Sequence, residues 1–291
     1  MFHFLLLSNL VGFVGNCNLA ENDGAFANMK LMTTEGGVQS IARAAAILRV
    51  LAEPHPDGSQ PADGLPLATI AKSTKLSPST AHRLVRTLIN EHLVEQDPTT
   101  ERYRLGPFAG VLGQGYLASA GLERAMPILR TLCRTTDESV SLATLQGTTA
   151  LVVLQEHSPQ PLRVDHLAGK ELFLHASAMG KVLLAFGDTD TKTAAESPGE
   201  LVKFTPTTIT SRSALVRELD AIRERGWATN EGERYEGANG VAVPVIANGA
   251  RSTSFALGIQ GPATRLTTER MSELVDICRR AAADIAALGI H

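Results

Sequence analysis

The chain has 291 residues, 44% of them hydrophobic and 20% charged, with a formal net charge of −3. That length holds two ordinary domains, each with its own core, and that composition excludes wholesale disorder. The acidic balance, with a pI near 6.3, excludes a generally basic nucleic-acid coat, so any contact with a polyanion must come from a local patch.

The opening run, "MFHFLLLSNLVGFVGNC", is apolar, yet the first basic residue is Lys30. A secretory signal carries positive charge ahead of its apolar stretch, and this stretch is too short and too interrupted for a bilayer span. Asn16 is too bulky for the position before a lipidated Cys17. Residues 1–37 are expected to be an unstructured extension, or one that precedes a true start at Met29 or Met32, and no membrane partner is expected. Cys17, Cys133 and Cys278 form no CxxC pair, so neither a disulfide framework nor a structural zinc site is expected, and a reducing cytoplasm is the simplest setting.

Between Val38 and Glu53, Ile41, Ala45, Leu48 and Leu51 recur at helical spacing, with Ser40 placed to cap the helix. "PHPDGSQPADG" breaks the chain as a loop. A short helix fits "LATIAKS", a turn fits "TKL", and a third helix starts at Pro78, with Ser77 as its N-cap. On that third helix Ala81, Leu84, Val85 and Leu88 share one face, and Ser79, Arg83, Arg86 and Asn90 cluster within about 60° on the other. From Thr69 to Asn90 there is no Asp or Glu. "HLVEQD" and "RYRL" then read as two strands of a hairpin.

Taken alone, a basic amphipathic helix is most often a solvated face. Here its neighbours weigh against that: a short helix and turn before it, a phosphate-sized helix start "SPST", and an arginine-bearing hairpin after it. Together they predict a winged helix-turn-helix. Ser77, Ser79, Thr80 and His82 are short-range hydrogen bonders near the helix start, and Arg83 and Arg86 are forked donors that reach base edges or phosphates. Lys72, Lys75, Arg102 and Arg104 would neutralise backbone charge and set register on double-stranded DNA.

Downstream, Pro107–Arg134 is mostly helical, punctuated by Gly113, Gly115 and Gly121. Then "VSLATL", "TALVVLQEH", "LRVDHL", "VAVPVI" and "SFALGIQ" predict strands. Helical segments are expected at Ala178–Phe186, Arg212–Arg225 and Thr268–Leu288, the last with a stripe of Leu274, Ile277, Ala281, Ile285 and Leu288. The second half is thus an α+β domain.

The stretches "QSIARAAAILRVLAE", "LATIAKSTKLSPSTAHRLVRTLINEHLVEQD", "ERYRLG", "LHASAMGKVLLA", "GANGVAVPV" and "LGIQGP" together resemble the IclR family of bacterial transcriptional regulators, in the family's order. The resemblance covers nearly everything after Val38. It implies a DNA-reading head at residues 38–106, a linker helix used in dimerisation at 107–120, and a GAF-like effector-sensing domain at 121–291. It also implies a dimer or tetramer whose grip on operator DNA changes when a small organic or aromatic acid binds, with no cofactor. One departure lies in the head, where Lys75 occupies a turn position that commonly carries Gly in the family. The resemblance implies an effector site at Ser177, Ala178, Met179, Asn230, Gly240, Gly258 and Gln260. The residues themselves allow a simple capped helix at Ser177, or a helix start whose free N–H groups at Ala178, Met179 and Gly180 hold a carboxylate. Relatives that take small oxo-acids carry an acid, a cysteine or serines at the other positions. Glycine at two of them predicts a roomier pocket and a longer or aromatic acid.

Catalysis is the competing reading, and its motifs are missing. "HASAMGK" has His175 where a phosphate loop needs its first glycine, and "GIQGP" lacks the serine of a nucleophile elbow. His157, His166 and His175 lack metal-ligand spacing and read as surface or structural histidines, and Asp165 and His166, as neighbours on a strand, would face apart.

Overall fold

The computed structural model describes residues 37–52, 61–166, 169, 171–247, 249–250 and 252–290. The apolar amino-terminal run, Cys17, the alternative starts and residues 53–60 of the first loop lie outside the described residues. The chain divides into two units between Gly106 and Pro107.

The first unit contains α1 (Gln39–Ala52), α2 (Leu67–Ser73), α3 (Pro78–Asn90), β1 (Val94–Gln96) and β2 (Tyr103–Leu105). Its core is built from Ile47, Leu51, Leu65, Ile70, Val85, Leu88, Val94 and Tyr103. α3 starts as the sequence predicts: Pro78 fixes the first helical position, and the Ser77 hydroxyl accepts the Thr80 N–H at 3.3 Å. α1 differs from expectation. It begins at Gln39, so Ser40 lies inside it rather than capping it, and it buries Ile47 and Leu51 while Ile41 is exposed. "IARAAAIL" has apolar residues on every side, so spacing alone selects no face, and packing against α3 and β2 makes the choice.

Between α2 and α3 the backbone reverses at Lys75, whose φ of 55° is left-handed. The Leu76 N–H donates to the Ala71 carbonyl at 3.0 Å, closing the end of α2 in the manner of a glycine-terminated helix. β1 and β2 pair antiparallel, with Glu95 opposite Arg104, and the Asp97 carboxylate accepts the N–H groups of Thr99 and Thr100 at 2.8 Å to shape the turn.

The second unit opens with α4 (Pro107–Ser119), which contains Gly113 and Gly115 and ends before Gly121 at a left-handed φ of 69°. α5 (Met126–Thr136) follows. A six-stranded antiparallel sheet comes next, formed by β3 (Ser139–Gln146), β4 (Thr149–Glu156), β5 (Glu171–Phe173), β6 (Ala228–Glu231), β7 (Ala238–Val245) and β8 (Phe255–Pro262), in the order β5-β4-β3-β8-β7-β6. α6 (Ala178–Ala185), α7 (Thr191–Glu196) and α8 (Arg212–Arg225) cover one face. α5 and α9 (Thr268–Ala287) cover the other, where α9 buries Leu274, Ala281 and Ile285 from the predicted stripe and Met271, Val275 and Cys278 beside it. Period-two alternation makes this possible: Val140 and Leu142 face α5 and α9, while Ala143 faces α6.

Two local expectations fail. Of "LRVDHL", the described residues 162–166 form no strand, because Asp165 binds Arg163, His157 and Ser139 instead of pairing in a ladder. α7 and β6 were not foreseen; "ATNE" has little strand character and joins the sheet by pairing with β7. Among the described residues no helix is long and apolar enough to cross a membrane.

The left-handed turn gives a direct test. Lys75→Gly is expected to stabilise the first unit by about 1 kcal/mol in urea unfolding, the steric cost of a side chain in that conformation. A loss of similar size would show that the contacts of the Lys75 side chain outweigh the strain.

Candidate nucleic-acid interface and ligand site

α3 buries Ala81, Val85 and Leu88 and leaves Ser79, His82, Arg83, Arg86 and Asn90 exposed. Neither the Arg83 nor the Arg86 guanidinium meets a hydrogen-bond or ionic partner among the described residues, which leaves ten N–H donors facing solvent. Lys72 and Lys75, in and after the last turn of α2, are also exposed. At the start of α3 the hydroxyls of Ser79 and Thr80 lie 3.2 and 2.8 Å from that of Ser77, so the three form one small cluster of hydroxyls around the helix N-terminus.

The hairpin is less cationic than its sequence suggested. Arg104 Nε lies 2.6 Å from Glu95 Oε1, and this hydrogen bond holds the guanidinium above its ordinary pKa. Arg102 donates to the Gly64 carbonyl at 3.2 Å. Both side chains brace the hairpin, and Asp97 shares its tip; Glu95 offsets the charge of Arg104, while Arg102 keeps its charge and four of its five N–H groups. A like result applies to three of the predicted ligand positions. The Gly180 N–H is taken by Ser177 Oγ at 3.1 Å, and that hydroxyl donates to the Phe173 carbonyl at 2.8 Å. The room expected at Gly258 is filled, since a Cβ there would lie 2.7 Å from Met179 Cγ.

The remaining predicted ligand residues come together through strand register. Ser139 lies opposite Gln260, Gln260 opposite Gly240, and Gly240 opposite Asn230, in one row crossing β3, β8, β7 and β6. Alternation puts this row on the face that carries Ala143, Ala242 and Ala256, under α6. Gln260 is 3% exposed, and its Nε2 donates to Ser141 Oγ at 2.7 Å. Asn230 accepts the Glu233 N–H at 2.8 Å and reaches the Ala176 carbonyl at 3.4 Å. Ala178 and Met179 start α6 beside it, and among the described residues no acceptor meets their N–H groups.

Several buried polar side chains beside this row escaped the sequence reading. Ser139 donates to Asp165 Oδ1 at 2.7 Å and accepts the Ser158 N–H at 3.1 Å. Burial pushes the Asp165 carboxyl up, but hydrogen bonds from Ser139, Arg163 and His157 together hold it below the usual carboxylate range. Lys181, 1% exposed, sets its Nζ 2.6 Å from Glu233 Oε1 and 3.7 Å from Glu218 Oε1. The alternation in "SVSLA" could have placed both serines on one face, and a lysine inside "AMGKVLLA" demanded a partner. His175 is buried with Nε2 3.0 Å from the Val202 carbonyl and its ring stacked on Phe204, and burial lowers its pKa. Its Nδ1 is buried without a partner. Among the described residues no three His, Cys, Asp or Glu side chains are placed to hold a metal ion.

Comparison with known proteins bears on both units. Residues 40–98 match the IclR helix-turn-helix domain, and residues 114–287 match the bacterial transcriptional regulator IclR C-terminal domain. The chain belongs to the IclR family of transcriptional regulators. It is 33% identical to the HTH-type transcriptional regulator BhcR of Paracoccus denitrificans, covering 86% of this chain and 87% of that one. It is 30% identical to the HTH-type transcriptional regulator KdgR of Escherichia coli, covering 91% and 98%. Among solved structures it is similar to an IclR regulator from Alicyclobacillus acidocaldarius (TM-score 0.72, 26% identity, 87% of this chain and 99% of that one). It is also similar to an IclR homologue from Microbacterium hydrocarbonoxydans complexed with 4-hydroxybenzoate (TM-score 0.67, 25% identity, 84% and 98%). The winged head and α+β second domain expected from the sequence are those of this family.

Two outcomes follow from the pairing of charges. Lys181→Met strands the Glu233 carboxylate in the interior and is expected to cost about 3–5 kcal/mol in chemical denaturation. Glu95→Gln frees Arg104 and is expected to tighten DNA binding and steepen its dependence on salt by about one counterion, read from affinities at several ionic strengths.

Proposed function

We propose that α3 enters the major groove of operator DNA, and that a small organic or aromatic acid bound between α6 and the sheet controls the occupancy of that operator. The observation that carries the first half is the acid-free surface of α3, where two neighbouring guanidinium groups stand without a counter-ion. A polyanion supplies what that surface lacks. In this reading Ser77, Ser79 and Thr80 meet a phosphate at the helix start, Arg83 and Arg86 read bases or phosphates, and Lys72 and Lys75 add backbone charge. The hairpin follows the backbone as a wing.

The ligand half draws on the polar row under α6, on the unoccupied N–H groups of Ala178 and Met179, and on the aromatic acid bound by the Microbacterium relative. Residues 38–106 form the head, 107–120 the linker and 121–291 the effector domain. The protein acts in the cytoplasm as a dimer or tetramer. Phe108, Val111, Leu112 and Tyr116 support self-association, since they leave a largely uncovered apolar surface on α4. An effector changes operator affinity to the extent that it binds one DNA-related arrangement better than another.

A dimer requires an inverted-repeat operator with half-sites separated by whole helical turns. In gel shifts with the chain's own upstream region, Arg83→Ala and Arg86→Ala are each expected to weaken specific binding by roughly 1–3 kcal/mol. Unchanged affinity in both variants would remove α3 from the interface. Turnover of a metabolite with no shift at low salt would return the second unit to the enzymes.

A further inference from the structure

We propose that residues 202–208 form a strap that seals the face under α6 and detaches by itself to admit a ligand there. This rests on the reading of that face as the effector site.

The face is closed in this structure. Asn230, Gln260, Ala178 and Met179 are all buried, so an organic acid reaches them only when a covering segment moves. The nearest seam lies at the β6 end of the row, where Asn230 Nδ2 is 3.4 Å from the Ala176 carbonyl, just before the N-cap of α6. β6 is the outermost strand, so its far edge has no strand partner. Residues 197–211, which join α7 to α8 without helix or strand, touch both sides of this seam. On one side the His175 Nε2–H donates to the Val202 carbonyl at 3.0 Å, and Phe204 packs on Phe173 with ring centres 4.7 Å apart. On the other side the Thr208 hydroxyl donates to the Glu233 carbonyl at 2.6 Å, and the Thr207 hydroxyl to the Glu231 carbonyl at 3.2 Å. Arg234, next to Glu233, sets its guanidinium 3.8 Å from the centre of the Phe204 ring.

The strap is attached differently from the other walls of the site. Leu201 and Ile209 pin its two ends against the core that contains α6. Between them, among the described residues, no backbone–backbone hydrogen bond joins the strap to another segment; hydroxyls, one imidazole and ring contacts hold it. When it lifts, water replaces each of those neutral hydrogen bonds, so each does little to keep it down. The other walls resist more strongly. α6 is held by the buried pair of Lys181 with Glu233, and the floor by the continuous ladder of β3, β8, β7 and β6. The strap is therefore the wall that gives way first, and its pinned ends bring it back.

Hydrogen–deuterium exchange of the full chain, read by mass spectrometry on peptides that span Ala178 and Met179, tests this. Thr208→Val keeps the shape of the side chain but removes the hydroxyl that bonds Glu233 and receives the N–H groups of Phe204 and Thr205. In this variant the start of α6, which lies outside the strap, is expected to exchange about tenfold faster than in the unmodified protein, while β3 and β8 keep their rates. Phe204→Ala, which removes the ring beneath Arg234, provides the same readout if Thr208→Val does not fold. Unchanged exchange at the start of α6 in a folded variant would show that the strap is not its cover. Equal acceleration in α6, β3 and β8 would show that the strap opens only with the whole unit; either result overturns the proposal. Exchange needs no ligand, so failure of the effector reading shows elsewhere: operator binding that no small acid alters would remove that reading, and the admitting role of the strap with it.

Discussion

The second unit depends on how closely α6 approaches the sheet. Side chains beneath it are pared to Ala143, Ala242, Ala256 and Gly258, and within the helix Gly180 passes so near Leu174 that a Cβ would lie 2.6 Å from its α-carbon. That approach has two consequences. It sinks Lys181 into the interior, where burying an ammonium is affordable only with Glu233 and Glu218 drawn in beside it. It also brings the first N–H groups of the helix over the polar row, where bulkier residues on β7 and β8 would have held them off. The ion pair and the proposed ligand site are products of one close approach.

The two units treat charge in opposite ways. In the second, buried charges sit against opposite charges: Glu138 receives both forks of Arg265 at 2.7 and 2.8 Å, with Gly261 cleared of a side chain to admit the carboxylate, and Glu233 meets Lys181 through one of its two oxygens. On the hairpin of the head, Arg104 is matched by Glu95 at 2.6 Å and Arg102 donates to a carbonyl. Arg83 and Arg86 meet no such partner among the described residues, and the helix that carries them has no Asp or Glu. Local imbalance, rather than overall charge, marks the proposed nucleic-acid face of a chain whose net charge is −3.

How much of this was legible in the sequence follows from what each signal measures. α3 was readable to the residue because its cap, its proline and its amphipathic pattern agree. α8 and most of α9 were readable for similar reasons. α1 was placed but its buried face was not, since an alanine-rich helix offers several equivalent stripes. The strand expected at "LRVDHL" failed because periodicity cannot foresee that Asp165 binds Ser139, 26 positions away. The same blindness hid Lys181 and Glu233, which meet 52 positions apart. The family motif named residues for the ligand site but not their occupancy. Gly258 suggested space, and only the fold shows Met179 filling it.

Spare hydrogen-bonding capacity separates the groups that serve the fold from those available to a ligand. Glu138, Asp97 and Ser177 spend their oxygens internally, whereas His175 bonds the Val202 carbonyl through Nε2 and leaves Nδ1 buried without a partner. The first N–H groups of α6 belong to buried residues and meet no acceptor among the described residues, and such donors favour an anion over a neutral group. Selectivity at such a place arises from what a wrong ligand leaves unmade as much as from the contacts that form.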